Sequence, residues 1–465
     1  MTPIVIRNTT VISGDAAGSV LHDAAVAIEG ARIVAVGPSD DIAARYPGAS
    51  VVDGRGKAIA PGLANCHNHL SRVLARGIFE DQNAPNQPPY SRKGFLSFPK
   101  MTPEERGVMV QLSVLEAIRS GTTLIIEVAS GISDYAGLLV RSGLRFVLAE
   151  QVADRATGAR VGEPGRIIFD ESKQPEALAR IEALHQARHG DADGRLAVAA
   201  AAHAPEMVSP SVFKQLRALQ DRLGILATVH LNQYWGEVAA IQETFGRLPT
   251  EHLDDLGYLN NGMIAVHCRC MTPHEEAILG NSGATVCFTP AVTARCGNSP
   301  RIADLAQAGC PIVLGTDEFA EDMVEVMRLS LLLERVRRGD SQRPMPNEAW
   351  AWASRNGYHA AGIADAGWIA PGNRADLMII NTRRAHLVPT IRISAAFIHQ
   401  GQAGDVESVM VDGSWVMRNG RVLTLDEDAL LEQAERLSRA AWQRTFAHNL
   451  GAPPADLDIH HSSRR

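Results

Sequence analysis

Two histidines separated by one residue close the apolar run Pro61-Gly62-Leu63-Ala64-Asn65-Cys66-His67-Asn68-His69. On a β-strand, residues i and i+2 share a face, so both imidazoles aim into one space. That spacing suits a metal ion; the bland alternative is two unrelated histidines near a turn. Three later runs weigh against the bland alternative. Ala227-Thr228-Val229-His230, Met263-Ile264-Ala265-Val266-His267 and Pro311-Ile312-Val313-Leu314-Gly315-Thr316-Asp317 are short, β-rich and apolar, and each ends in a histidine or an acid. A single terminal histidine is more often a satisfied core residue. Repeated ligand-type endings on separate strands predict a shared site.

Runs that are apolar throughout are parallel strands buried on both faces. In a (β/α)₈ barrel the chemistry sits at the C-terminal ends of such strands. Strand-like and helix-like segments alternate between residues 61 and 365, as βαβ units require. Short β-rich pieces split by Gly and Asp turns occupy residues 1–60 and return at 366–425. The predicted fold is therefore α/β: a (β/α)₈ TIM barrel over 61–365, with a small β-sandwich built from 1–60 and 366–425. Residues 426–465 read as a terminal helix and a tail, and His460 and His461 in that tail are not counted as ligands.

At 465 residues the chain is long enough for one large and one accessory domain. A formal charge of −7 without a basic block argues against nucleic acid as a partner. No apolar run is long enough to span a membrane, and Met1-Thr2-Pro3-Ile4-Val5 lacks the features of a signal peptide. Six scattered cysteines, several in apolar strand-like runs, fit reduced thiols and a cytoplasmic location. Cys268-Arg269-Cys270 could bind metal, but alternation points both thiols away from His267. Residues 70–101 form a long connection with Pro85, Pro88, Pro89, Tyr90, Phe95 and Phe98. Long loops in compact domains are usually functional or disordered; this one reads as a lid over the substrate, or as a subunit contact.

The chain resembles the amidohydrolase superfamily, in the branch of cytosine deaminase-like and triazine hydrolase-like enzymes. The likeness runs from Pro61–His69 and Leu74-Ala75-Arg76-Gly77 through Ser120-Gly121-Thr122-Thr123 and His203-Ala204-Pro205. It continues through His230, His267, Leu314–Asp317 and Met327-Arg328-Leu329 to Pro371-Gly372-Asn373-Arg374-Ala375-Asp376-Leu377. The resemblance implies the same barrel and sandwich, and His67, His69, His230 and Asp317 as ligands of one divalent metal per subunit. Three imidazoles and a carboxylate suit zinc, cobalt or iron. Such a metal brings the pKa of bound water towards neutrality. Binuclear relatives carry a carboxylated lysine on a middle strand, and Leu196–His203 has no lysine. The resemblance further implies that Asp317 takes the water proton and that His267 stabilises the oxyanion without being a ligand. His203 is expected to contact the substrate's polar group, unless it is a buried histidine anchoring its loop, and Arg76 to belong to the substrate site. Family enzymes are often homo-oligomers, and a small-molecule substrate is the expected partner.

Two departures shape the expected activity. Deaminases of this branch carry His-x-x-Glu on the fifth strand; here the run is His230-Leu231-Asn232-Gln233. Gln hydrogen-bonds but cannot shuttle a proton at neutral pH, and general acid–base catalysis is worth roughly 10²–10⁴ in rate. Many relatives place a histidine where Cys287-Phe288-Thr289-Pro290 has Phe288, turning a polar contact into an aromatic wall. Both changes point to a small apolar amide, urea or (thio)carbamate, as in molinate and phenylurea hydrolases, with cobalt or zinc. The alternatives are an aminohydrolase or chlorohydrolase of an N-heterocycle (purine, pyrimidine or s-triazine), and an inactive relative acting as a binding protein. Glu318 could replace the missing acid, but strand alternation directs it away from the cavity.

Overall fold

The computed structural model describes residues 2–80, 98–156 and 161–447. The N-terminal segment supplies β1 (Ile4–Ile12), β2 (Val20–Glu29), β3 (Arg32–Pro38), β4 (Ser50–Asp53) and β5 (Lys57–Pro61). Eight strands follow: β6 (Leu63–Asn68), β7 (Thr122–Ala129), β8 (Arg145–Val152), β9 (Leu196–Ala202), β10 (Leu226–Leu231), β11 (Met263–His267), β12 (Thr285–Phe288) and β13 (Ile312–Leu314). The C-terminal segment adds β14 (Leu377–Asn381), β15 (Val406–Val411), β16 (Ser414–Arg418) and β17 (Arg421–Val422).

β6 to β13 pair in sequence order, each parallel to the next. Helical crossovers between consecutive strands permit that parallel arrangement. The sheet closes where Asn68 pairs with Asp317, giving the expected (β/α)₈ barrel. Its strands are apolar throughout because both faces are covered. Inward residues such as Ala64, Ile126, Val147, Ala201, Val266 and Cys287 share one cluster, plugged at one end by Tyr358. Their neighbours Ile125, Leu148, Ala265 and Phe288 pack against the helices.

The chain ends form a separate domain whose nine strands run β17-β16-β15-β14-β5-β1-β2-β3, with β4 beside β1. The ladder is one continuous sheet that curls over a core of Ile6, Val26, Ile59, Leu377 and Met410. At the curl, a Cβ on Gly413 (φ +72°) would lie 1.9 Å from the Gly30 carbonyl, so the β15–β16 turn requires glycine.

Barrel and sheet are tied by a buried charge network. Arg145, 1% exposed, donates from Nε to Asp376 Oδ2 at 2.5 Å, and Tyr358 Oη donates to the same oxygen at 2.9 Å. Arg145 also pairs with Asp412. Removing one partner from such a pair costs about 3–5 kcal/mol, since the other stays buried and uncompensated. Asp376 of the Pro371–Leu377 motif is therefore an anchor between domains. The helix Glu427–Ala447 lies against the helix Pro103–Arg119, with Trp442 Nε1 donating to Leu74 O at 2.7 Å. No described helix is long and apolar enough to cross a membrane.

Candidate active site

Four histidines and one acid meet at the C-terminal mouth of the barrel. The rings of His69, His230 and His267 lie 4.8, 4.8 and 5.8 Å from that of His67. Asp317 Oδ1 stands 3.6 Å from Nε2 of both His67 and His69, and Oδ2 stands 3.7 Å from His267 Nε2. His69 Nε2 and His230 Nε2 are 3.3 Å apart.

The backbone reaches this arrangement by breaking strand periodicity. Ala64 and Cys66 alternate into the barrel, but the β6/β7 register slips between Asn65 and Asn68. Such a slip re-aims the residues at the strand end, here His67 and His69. On β11, Ile264 and Val266 already face inwards, so simple alternation would turn His267 out. It has φ +78°, and Asp317 φ +71°, Asn232 φ +49° and Phe319 φ +75° are also left-handed. Non-glycine residues there are strained, and such strain gathers at functional sites.

Each outer imidazole is fixed by its second nitrogen. His69 Nδ1 donates to Val128 O at 2.6 Å, and His230 Nδ1 to His203 O at 2.5 Å. His267 Nδ1 lies 2.9 Å from Thr289 Oγ1. This leaves Nε2 of all three for the centre, as in metal sites, where the other ring nitrogen sets tautomer and orientation. His67, 0% exposed, has no hydrogen-bond partner at either nitrogen. An unmet buried polar atom is costly, and a divalent cation resolves that cost. The donor set fits such an ion: His67, His69 and Asp317, and His67, His230 and His267, form two groups with ligand atoms within 4.8 Å.

Electrostatics keep the ligands in metal-binding form. Burial, helped by the neighbouring His67, pushes His69 down to about 3. Burial likewise drives His230 and His267 well below the usual imidazole range, with the Arg269 charge assisting at His267. Burial alone would raise Asp317, but the adjacent imidazoles of His67, His267 and His69 hold its carboxyl well below the usual range.

The cluster opens into a cavity of about 510 Å³. Of the residues singled out in the sequence, His69, His203, His230, Gln233, His267 and Asp317 line it, while His67 lies beneath. His203 is driven down to about 3, mainly by burial, and is neutral near pH 7. His267 stands among the ligand-type residues, its Nε2 3.7 Å from Asp317 Oδ2. Cys268 and Cys270 join no metal-binding group among the described residues, and all six cysteines are buried and free.

Two expected substrate contacts are corrected. Arg76 lies outside the cavity lining; its Nε donates to Phe319 O at 2.5 Å and its guanidinium pairs with Glu116. It braces the wall from behind. Phe288 follows strand alternation into the helix-facing core, and the next residue, Thr289, reaches the site through His267. The aromatic wall inferred there does not form. Phe98 and Phe319 line the cavity, but so do Arg72, Glu80, Lys100, Arg106, Gln151, Arg295 and Glu318. Most of the expected lid, including Pro85, Pro88, Pro89, Tyr90 and Phe95, lies outside the described residues.

Glu318 also departs from expectation. With Asp317 at φ +71°, alternation fails and Glu318 joins the cavity wall, 3.9 Å from Arg72 Nε. Burial pushes its carboxyl up to about 7, with Arg72 opposing and Asp317 adding to the rise. No sequence signal marks that turn. Tyr234, beside Gln233, and Arg295 were likewise not legible as wall residues.

Known proteins resemble this chain in family and in fold. Residues 58–416 match the amidohydrolase family, and residues 24–49 match an imidazolonepropionase-like composite domain of bacteria. A 5-methylthioadenosine/S-adenosylhomocysteine deaminase of Pelotomaculum thermopropionicum is 29% identical over 442 residues, covering 94% of this chain and 98% of its own. Among solved structures, a zinc-bound adenosine deaminase from Xanthomonas campestris superposes with a TM-score of 0.82 at 23% identity, covering 96% and 99%. A triazine hydrolase from Arthobacter aurescens gives 0.83 at 19%, covering 94% and 100%.

Proposed function

The chain belongs to the amidohydrolase family and is a metal-dependent hydrolase of C–N bonds; we propose that it releases an amino group from an N-heterocycle. The observation that carries this reading is the cavity wall. Glu80, Gln151, Glu318 and Arg72 offer donors and acceptors to ring and exocyclic nitrogens, where an apolar carbonyl substrate would call for an apolar lining. The names of the deaminase relatives support it. Zinc is the metal we propose.

His67, His69, His230 and Asp317 would hold a divalent metal, which would supply Lewis acidity and acidify bound water. The chain's own groups do the rest. Asp317 Oδ2, facing His267 Nε2, receives the water proton. His267, kept neutral and fixed by Thr289, hydrogen-bonds the oxygen that adds to the ring. Gln233 Nε2, buried without a partner, donates to an acceptor on the substrate. Glu318 is the wall carboxyl placed to pass a proton to the departing nitrogen.

A second reading, hydrolysis of an amide, urea or (thio)carbamate, is favoured by Gln233 itself, since a thiolate departs with little protonation. The zinc-loaded protein should release ammonia from adenosine, 5′-methylthioadenosine or an aminated pyrimidine and leave phenylureas and thiocarbamates intact. Turnover confined to the carbonyl compounds overturns the first reading in favour of the second.

A further inference from the structure

Gln233 reaches the cavity from a turn that is tied down from behind. Asn232 has φ +49°, a left-handed conformation, and all of its polar atoms are bonded. Its Nδ2 donates to Cys270 O and to Glu275 Oε1 at 2.9 Å each, its Oδ1 accepts from Thr250 Oγ1 at 2.8 Å, and its carbonyl accepts from Cys270 N at 2.7 Å. Glu237, buried in the first turn of the helix Trp235–Phe245, takes two main-chain N–H groups. Its Oε1 accepts from Asn232 N and its Oε2 from Gln233 N, both at 2.7 Å. Arg269 takes the other end of residue 233, donating from Nε to Gln233 O at 3.1 Å. Its guanidinium carbon is 5.0 Å from the centroid of the Tyr234 ring, and Arg269 lies behind the wall that Gln233 and Tyr234 form.

The group left over on this turn is the Gln233 side chain, whose Nε2 is buried in the cavity wall without a partner. Burying a carboxyl and a guanidinium to hold one stretch of main chain destabilises the fold, because hydrogen bonds restore only part of the hydration each has lost. A donor left unmet on the same turn adds to that loss. Stability alone does not account for the combination. It makes sense where one donor must stand at one fixed place, because a contact is effective when its geometry is set before the substrate arrives.

We infer that Glu237 and Arg269 are positioning residues for Gln233: one holds its N–H, the other its C=O, and together they aim Nε2 at an acceptor on the substrate. This rests on the reading of Gln233 as a substrate contact and deepens it by naming the residues that fix it there. Neither of the two touches substrate, so each acts through residue 233.

A double-mutant cycle tests that dependence. Glu237→Gln leaves one acceptor for two N–H groups, since the amide nitrogen is itself a donor. Gln233→Met keeps the length of the side chain and removes its donor. For each variant and for the pair, kcat, KM, metal content and melting temperature are measured on whichever heterocycle or carbonyl compound the zinc-loaded protein turns over fastest. Gln233→Met should lower kcat/KM about tenfold, the size of one lost hydrogen bond, with an unchanged or higher melting temperature. Glu237→Gln should lower kcat/KM by a similar factor in the wild type, but by about twofold at most in Gln233→Met, where no donor is left to aim. An equal fall in both backgrounds would make Glu237 a prop of the fold and overturn the inference, and so would no fall in either. If Glu237→Gln does not fold, Arg269→Lys, which keeps the buried charge but not the Nε donor, goes through the same cycle and decides by the same criterion. Turnover confined to carbonyl compounds would overturn the aminohydrolase reading and leave this one standing.

Discussion

Asn68 and Asp317 pair across the seam of the barrel, and the seam is part of the metal site. His69 N donates to Asp317 O at 3.0 Å, and Asp317 N donates to His67 O at 3.1 Å. Two ligands on the first barrel strand and one beyond the last are therefore spaced by main-chain bonds, not by side-chain packing alone. Behind them, Glu321 Oε2 accepts from Asn68 Nδ2, from Asn65 Nδ2 at 3.3 Å and from Thr316 Oγ1 at 3.2 Å. One buried carboxyl thus gathers both sides of the seam.

Replacing Glu321 by Ala should loosen that seam. The Thr316 hydroxyl would lose its acceptor, at about 1–3 kcal/mol if left unmet, and Asn65 and Asn68 would each keep only Thr316 Oγ1. The expected outcome is a melting temperature lower by several degrees and weaker metal retention during dialysis against a chelator. Glu321→Gln should be milder, since burial already pushes this carboxyl well above its usual range and the amide resembles its protonated form. Unchanged metal retention in Glu321→Ala would show that the main-chain bonds suffice.

Gly315 makes a sharper case for geometry. A Cβ there would meet His67 N and O at 2.9 Å each and Cys287 Sγ at 3.0 Å. Two of those contacts are backbone and cannot rotate away, so Gly315→Ala must shift the β6 segment carrying His67. Overpacking of this kind costs about 1–3 kcal/mol. Metal content after purification should fall more than the melting temperature of the metal-free protein does. A fully loaded Gly315→Ala protein would contradict the claim that this contact sets the ligand position.

How much of this was legible follows from where periodicity holds. Strand ends at His230, Asp317 and His267 could be read because parallel strands are apolar to their last residue. Barrel topology followed from their alternation with helices. The failures sit where alternation breaks. Glu318 was assigned to the far side because no residue type announces φ +71° at Asp317. Phe288 was misjudged for the opposite reason, since there alternation does hold and buries it outward.

The metal-free protein should lose stability as pH falls. His69 titrates at about 3 and His230 and His267 well below their usual range, whereas in the unfolded chain they titrate near 6.5. Below that value the unfolded state binds more protons, so acidification favours unfolding. The depressed Asp317 carboxyl acts in the same direction at lower pH. Glu127 and Glu318, raised to about 7 chiefly by burial, and Glu206, Glu237 and Glu321, raised by burial too, oppose this by favouring the folded state at acid pH. Burial also pushes His203 down to about 3 and His252 down to about 4, and once the unfolded carboxylates are themselves protonated only the histidines and Asp317 still act, so the melting temperature should drop from pH 6.5 downward. A thermal melt series that stays flat to pH 4.5 would contradict the assigned neutral imidazoles.

Glu318→Gln separates the two routes by which a proton reaches the leaving group. If Asp317 returned the proton unaided, replacing its neighbour by an isosteric amide would change little. The geometry favours a second carboxyl: Glu318 is in the cavity wall, held 3.9 Å from Arg72, and closer to solvent than the buried Asp317. A general acid is worth roughly 10²–10⁴ in rate. Glu318→Gln should therefore lower kcat by about that range with KM nearly unchanged and metal content intact, measured on the best heterocycle found. A rise in KM with kcat preserved would make Glu318 a binding group, since uniform binding alone moves KM. Substrates with a more acidic leaving group should suffer less from the exchange, because they depart without help. A loss independent of leaving group would assign proton delivery to Asp317.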